Sequence, residues 1–224
     1  VYDSPPNSSV VAIVPCSAAR ILDVGCGTGA NAAELRKRNR YVEIIGMTHS
    51  EEEIMAARRH YDELIKADVE TYQPWSSLGA FDVILLSHVL EHLRDPAATV
   101  RRLSSVLDDN GVMIMAVPNF AHWKNRLEVL FGKLQYSESG LLDRTHLRFF
   151  TWDTAPVELV ERAGLRLASR TADGHFPLGV ARCLLPRCFS QAIDRKALRL
   201  FPNLFACQII LVASSDDRFQ HSAS

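Results

Sequence analysis

The sequence predicts an α/β domain built on a mainly parallel, doubly wound sheet, and three observations predict it. Short apolar runs alternate with helix-like stretches along residues 20–117. A glycine-rich turn, Gly25-Cys26-Gly27-Thr28-Gly29, joins the first apolar run to the first helical stretch. Helix-start signals then recur at Ser50 and at Asp95-Pro96. Strands alternating with helices imply βαβ crossovers and a parallel sheet covered on both faces.

Arg20–Val24, RILDV, is the first strand, and residues 30–38 form a helix that opens on the glycines. Residues 43–47 are the second strand. Ser50 caps the next helix, and Glu53 is placed to reach back to the cap's N–H, as in a capping box. Residues 64–67 make a short strand and FDVILL (81–86) a strong one. Asp95 caps a helix with Pro96 at its first position, running to about Leu107. Asp109-Asn110-Gly111 reads as a turn and 111–117 as the next strand. After Pro118 the rhythm breaks. Residues 119–150 and 174–201 read as insertions, with a helix (151–163) and a strand (165–172) between them and a last strand at 204–213. Both insertions are too apolar for solvated tails and are expected to cap the sheet, with a second-insertion lid over 176–189. Residues 1–9 and 215–224 are polar and expected to fray.

A chain of 224 residues, 47% hydrophobic and 23% charged, suits one domain over 1–224. A formal net charge of -1 argues against nucleic acid or an anionic membrane as partner. Cys16, Cys26, Cys183, Cys188 and Cys207 are scattered and never spaced C-x-x-C. That excludes a disulfide framework and points to a reduced, cytoplasmic setting. No run of 18 apolar residues exists, so no spanning helix is expected. Val1 stands where a natural start would carry Met, and no signal-peptide pattern is visible.

GCGTGA satisfies G-x-G-x-x-G/A, the dinucleotide fingerprint. Two neighbours speak against a pyrophosphate. Asp23 stands just before the turn, where a carboxylate repels phosphate and suits an ammonium or sulfonium ligand. The acid expected about 20 residues on is missing, because that position reads Met47-Thr48-His49. An NAD-type oxidoreductase is therefore the disfavoured rival.

The pattern D-x-G-x-G-x-G resembles motif I of class I S-adenosylmethionine (SAM) methyltransferases. The likeness continues in order through IKADVE (65–70), FDVILLSHVLEHLRDP (81–96) and AVPNF (116–120). GLLDRTHLRFFT (140–151) and FPNLFACQIILVA (201–213) resemble a bacterial subgroup similar to methionine-biosynthesis-type and glycan or natural-product methyltransferases. The resemblance implies a Rossmann-like sheet of seven strands with the last antiparallel. It implies SAM as cofactor, S-adenosylhomocysteine (SAH) as product, and a small-molecule acceptor, with oxygen favoured over nitrogen. It puts Gly25, Cys26, Gly27 and Gly29 under the methionine part of SAM and Asp23 near its amino group. It puts Asp68 at the adenine amino group, Val69 beside it, and Ser87 and His88 along the methionine moiety. Thr48 departs from the ribose-binding acid of the family; a hydroxyl cannot make a carboxylate's paired contact to a diol, so His49 or Glu51 is expected to assist. A SAM-binding protein without catalysis is the second rival, because Asp23 and Asp68 speak for binding alone. Monomer and homodimer both stay open.

His88-Val-Leu-Glu91-His92 spells the inverted zinc-protease motif, but it directly follows a strand and precedes a new helix start. Some quinone O-methyltransferases look similar here, and His88 stands where their pattern has an acid, so no metal is expected. Methyl transfer to a hydroxyl needs a base, which a His supplies near neutral pH. His146 is the first candidate, with Asp143 three residues before it to orient the ring, and His92 is expected to shape the site. Asn119, Trp123, Tyr136, Arg144 and Arg148 are candidate acceptor contacts, the arginines as a carboxylate or phosphate clamp or as a salt-bridged hinge. Trp123, Leu127 and Leu130 fall at helical spacing and are expected to pack a cap helix on the sheet.

Overall fold

The computed structural model describes residues 5–133, 135–137, 140 and 142–215. Helix α1 (Ser8–Ile13) leads into β1 (Arg20–Val24), α2 (Ala30–Arg38), β2 (Glu43–Thr48), α3 (Glu51–Ala57), β3 (Glu63–Lys66) and β4 (Phe81–Ser87). Then come α4 (Pro96–Ser104), β5 (Leu107–Pro118), α5 (Trp123–Leu130), α6 (Thr154–Pro156) and β6 (Arg166–Gly174). The short α7 (Ala181–Leu184), α8 (Arg187–Leu200), α9 (Pro202–Phe205) and β7 (Ala206–Ser214) complete the order. The sheet runs β3-β2-β1-β4-β5-β7-β6, and β7 is antiparallel to both of its neighbours. The chain therefore switches direction of winding between β1 and β4, and the glycine turn lies at that switch.

Alternate residues of the strands feed two cores. Leu22, Ile45, Ile84, Met113 and Leu211 face Val100 and Leu103 of α4 and Ala155 of α6. Ile21, Ile44, Leu85, Ile114 and Ile210 face Val10 of α1, Leu35 of α2 and Ala57 of α3. Burial on both faces explains the continuous apolar runs, and each buried Ile or Leu contributes about 1.5–3 kcal/mol.

Four local expectations are corrected. Residues 1–9 are not all frayed: Asn7 caps α1 by accepting from Val10 N–H at 3.3 Å, and Val10 and Val11 are buried. The turn expected at 109–111 is instead part of β5, with a register irregularity between Phe81 and Val83. Gly111 allows it, since a Cβ there would sit 2.8 Å from Phe81 O. The helix expected over 151–163 is α6 followed by a wider turn at Val157–Glu161. Pro156 has no N–H to give the Trp152 carbonyl, which instead accepts from Arg170 at 2.7 Å. In α5, Leu127 and Leu130 stay 43% and 74% exposed, and the buried residue is Asn125, whose amide donates to Phe120 O. The 123/127/130 stripe therefore does not pack on the sheet.

Candidate active site

The turn after β1 is tied to the end of β2, where Gly25 N–H and Cys26 N–H both donate to Met47 O, at 2.8 and 3.1 Å. Gly25, Gly27 and Gly29 all have left-handed φ, of 69°, 51° and 87°. A Cβ on Gly25 would overlap Val89 Cγ2, so the turn packs directly on the loop after β4. This is a backbone cradle that side chains would fill.

Carboxylates surround it. Asp23 has the same parity as Ile21, is 1% exposed, and accepts from Tyr61 Oη at 2.7 Å. Burial lifts its pKa to about 6, against the lowering effect of the Tyr61 hydrogen bond. Burial, then the negative charges of Asp23 and Glu53, push the Cys26 thiol up. Thr48, the last residue of β2, donates to Glu53 Oε2 at 2.5 Å, and both side chains are buried. Glu53 therefore turns inward to Thr48, where the sequence suggested a capping-box contact to Ser50; Ser50 Oγ still accepts from Glu53 N–H. Asp68 is exposed after β3, with Oδ1 accepting from Glu70 N–H at 2.8 Å, next to the buried Val69. His49 is exposed beyond Thr48. Such a ring of carboxylates repels a pyrophosphate and complements a sulfonium, an ammonium and hydroxyl donors, so the residues present fit SAM and not NAD.

Across the turn, the loop after β4 carries a second group. His88 takes a left-handed φ of 57°, uncommon for a side-chain residue and often seen at functional sites. Leu90–His92 is a single tight turn, so His88 and His92 do not share a regular helix face. Glu91 is 1% exposed; its Oε1 lies 3.2 Å from His88 Nδ1 and 4.0 Å from His146 Nε2, and its Oε2 has no hydrogen-bond partner among the described residues. Burial alone would lower the His88 pKa, but the Glu91 hydrogen bond and charge, with Gln208 at 3.0 Å, outweigh it and raise it. The rings of His92 and His146 meet edge to face at 4.8 Å. Ligand atoms of Glu91, His92 and His146 all lie within 4.8 Å of one another, so these three could hold a divalent ion.

Asp143 is 4% exposed, and its Oδ1 accepts both the N–H and the O–H of Thr145, at 2.8 and 2.7 Å. Thr145 Oγ1 and O then lie 2.9 and 3.3 Å from His92 Nδ1. The Thr145 hydroxyl proton is committed to Asp143 and a carbonyl only accepts, so both Thr145 oxygens suit an N–H on the Nδ1 side of the His92 ring. The loop is fastened by Leu147 N–H and Arg148 N–H to Glu91 O, at 2.8 and 3.0 Å.

The acceptor candidates divide. Asn119 is fully buried; its amide donates to Asn203 O and Ala206 O, and its oxygen accepts from Ala121 N–H, so it holds the start of β7. The Arg148 guanidinium donates to Arg94 O, a loop fastening rather than a clamp. Arg144 and Tyr136 are exposed, and Trp123 is half-buried. An open hollow of about 320 Å³ is lined by none of these candidates but by His88, Asp173, Gly174, His175, Cys207 and Gln208. Gln208 links His88 to Asp173 (2.8 Å) and to Asn7 (3.1 Å), and Asn7 reaches Ser87 Oγ at 3.2 Å. Glu53, Thr145, Asp173 and Gln208 were missed in the sequence. Only Glu53 had a nearby signal, its spacing from Ser50.

A glycine turn ringed by carboxylates at the switch point of this seven-stranded sheet defines a class I SAM-dependent methyltransferase domain. The chain belongs to the methyltransferase domain family, whose model, described as "Methyltransferase domain", matches residues 11–170. A ubiquinone biosynthesis O-methyltransferase of Rhodopseudomonas palustris (strain HaA2) is 30% identical over 148 residues, 64% of this chain and 55% of that protein. One from Psychrobacter cryohalolentis is 32% identical over 107 residues, 45% and 41% of the two chains. The chain thus spans about half the length of the curated relatives it matches. In structure it is similar to a SAM-dependent methyltransferase from Archaeoglobus fulgidus (TM-score 0.59, 20% identity, 88% and 86% covered). It is also similar to the plantazolicin methyltransferase BpumL in complex with SAH (TM-score 0.57, 19% identity, 89% and 77% covered). At these identities the likeness is one of fold. Among the described residues no helix is long and apolar enough to cross a membrane.

Proposed function

We propose that the chain methylates a hydroxyl of a small molecule, with His92 as general base. The observation that carries this is the hydrogen-bonded line from the buried Asp143 through Thr145 to the His92 ring. SAM supplies an activated methyl group, so the chain must align the acceptor and remove its proton. His92 takes that proton, and the imidazolium formed is stabilised by the Thr145 oxygens at Nδ1 and by the nearby Glu91 carboxylate. His146, 7% exposed at its side chain, supports Glu91 rather than meeting the acceptor, which reverses the order suggested by spacing. The polar hollow beside His88 and Gln208 suits a hydroxylated acceptor. The relatives named for ubiquinone biosynthesis O-methylation favour oxygen over nitrogen.

We read the chain as one domain with capping insertions at 119–150 and 174–201, acting in the cytoplasm on a small molecule rather than nucleic acid. The net charge of -1 and the five free cysteines support that setting. Labelled-methyl transfer to a panel of phenols and alcohols tests the reaction. His92→Ala should lower kcat by about 10²–10⁴-fold with SAH affinity unchanged. Normal turnover by His92→Ala, with the loss appearing in His146→Ala, would overturn the assignment.

A further inference from the structure

We propose that Glu53, held by Thr48, is the carboxylate that binds the ribose diol of SAM in this chain. The inference rests on the SAM reading above and concerns residues at the place where the sequence departs from its family.

Thr48 ends β2 beside the glycine turn, with Met47 O receiving the Gly25 and Cys26 N–H groups. A vicinal diol offers two O–H donors, and a threonine hydroxyl has only two acceptor lone pairs on a single oxygen, without the two oxygens that let a carboxylate face both hydroxyls side by side. The Thr48 hydroxyl is also already committed: it donates to Glu53 Oε2 at 2.5 Å and accepts from Ser50 N–H at 3.3 Å. That commitment puts a carboxylate within one hydrogen bond of the strand end. Glu53 arrives from the first turn of α3, one face of which is turned to the sheet, with Ala57 buried a turn further on. Its neighbours Glu51 and Glu52 do not compete for this position, since Glu51 pairs with Lys66 at 2.6 Å and Glu52 accepts from Ser50 Oγ at 2.8 Å.

Burial gives an independent reason to read Glu53 as a ligand group. It is 7% exposed, and an acid on the surface of an amphipathic helix has no need to leave water. Its charge also reaches the Cys26 thiol in the turn, which places the carboxylate on the cradle side of α3. Thr48 fixes one carboxylate oxygen by donating to it, and a carboxylate's two oxygens give the diol a paired acceptor. His49 is exposed and Glu51 pairs with Lys66 at the surface, whereas Glu53 is buried against the strand end.

The test is calorimetry on the full chain with SAH and with its 2′,3′-dideoxy analogue. The wild type should bind SAH about 10- to 100-fold more tightly than the analogue, the loss expected when a buried acceptor goes without its donors. Glu53→Gln should weaken SAH by a similar factor and erase most of the preference. Thr48→Asp combined with Glu53→Gln should restore both, by returning a carboxylate to the strand end. Equal wild-type affinity for SAH and the analogue would overturn the inference even if the variants failed to fold, because that arm needs no variant. So would a Glu53→Gln chain that binds SAH as the wild type does. A wild type that binds neither compound would instead overturn the SAM reading, and this inference with it.

Discussion

Replacing Asp23 by Asn is a perturbation whose size the structure sets. Burial holds the Asp23 carboxyl at about 6, from an ordinary value of 3.8, against the opposing Tyr61 hydrogen bond. A difference of about two units corresponds to about 3 kcal/mol between the two protonation states. The folded chain binds this proton more tightly than the unfolded chain. Asp23 therefore adds stability that is complete below 3.8 and is lost as pH rises through about 6. At neutral pH the ionised group costs the apo fold about 3 kcal/mol relative to the protonated one. An asparagine keeps an acceptor for Tyr61 Oη and never ionises. Urea unfolding of the apo chain should thus show Asp23→Asn gaining on the wild type by about 3 kcal/mol between roughly pH 4 and pH 7.5. SAH binding should weaken in the same variant, because a carboxylate kept at a cost to stability belongs to the site. A stability difference that stays flat over this range would refute the reasoning.

Gly25→Ala should lose SAH binding and destabilise the chain by about 1–3 kcal/mol, since it combines a left-handed φ with an overlap on Val89; wild-type affinity in calorimetry would contradict this. Glu91→Gln should move the His88 titration to lower pH, because the Glu91 carboxylate is what raises it above 6.5 against burial. Histidine NMR titration reads the shift directly, and an unmoved His88 would show that Glu91 is not its partner.

The glycine turn and the acid before it were legible because they are local. Asp23, the glycines and the start of α2 are contiguous, so a turn requirement and a charge preference appear side by side in the sequence. Strand positions were legible for the same reason, their apolar runs being the signature of burial on both faces. The group around His88, proposed above as the acceptor side, is assembled by topology. Gln208 meets His88 across 120 positions because β7 inserts between β5 and β6, and nothing near His88 announces it. Thr145 carried no signal of its own between Asp143 and His146. Its small side chain instead hands the Asp143 hydrogen bond to His92, which only the fold of the 142–150 loop decides. Glu53 was visible, but local capping chemistry offered a sufficient explanation, and its burial beside Thr48 is a tertiary fact. Asn119 went the other way: a polar residue at a strand end looked available, and β7 consumes its amide.

Calorimetric titration of the chain with SAH, alongside NAD at the same concentration, tests the central claim most directly. Saturable one-to-one binding of SAH with no heat from NAD is the expected result. Binding of NAD without binding of SAH would contradict the account, since the carboxylates of Asp23, Glu53 and Asp68 around the turn would then be tolerating a pyrophosphate.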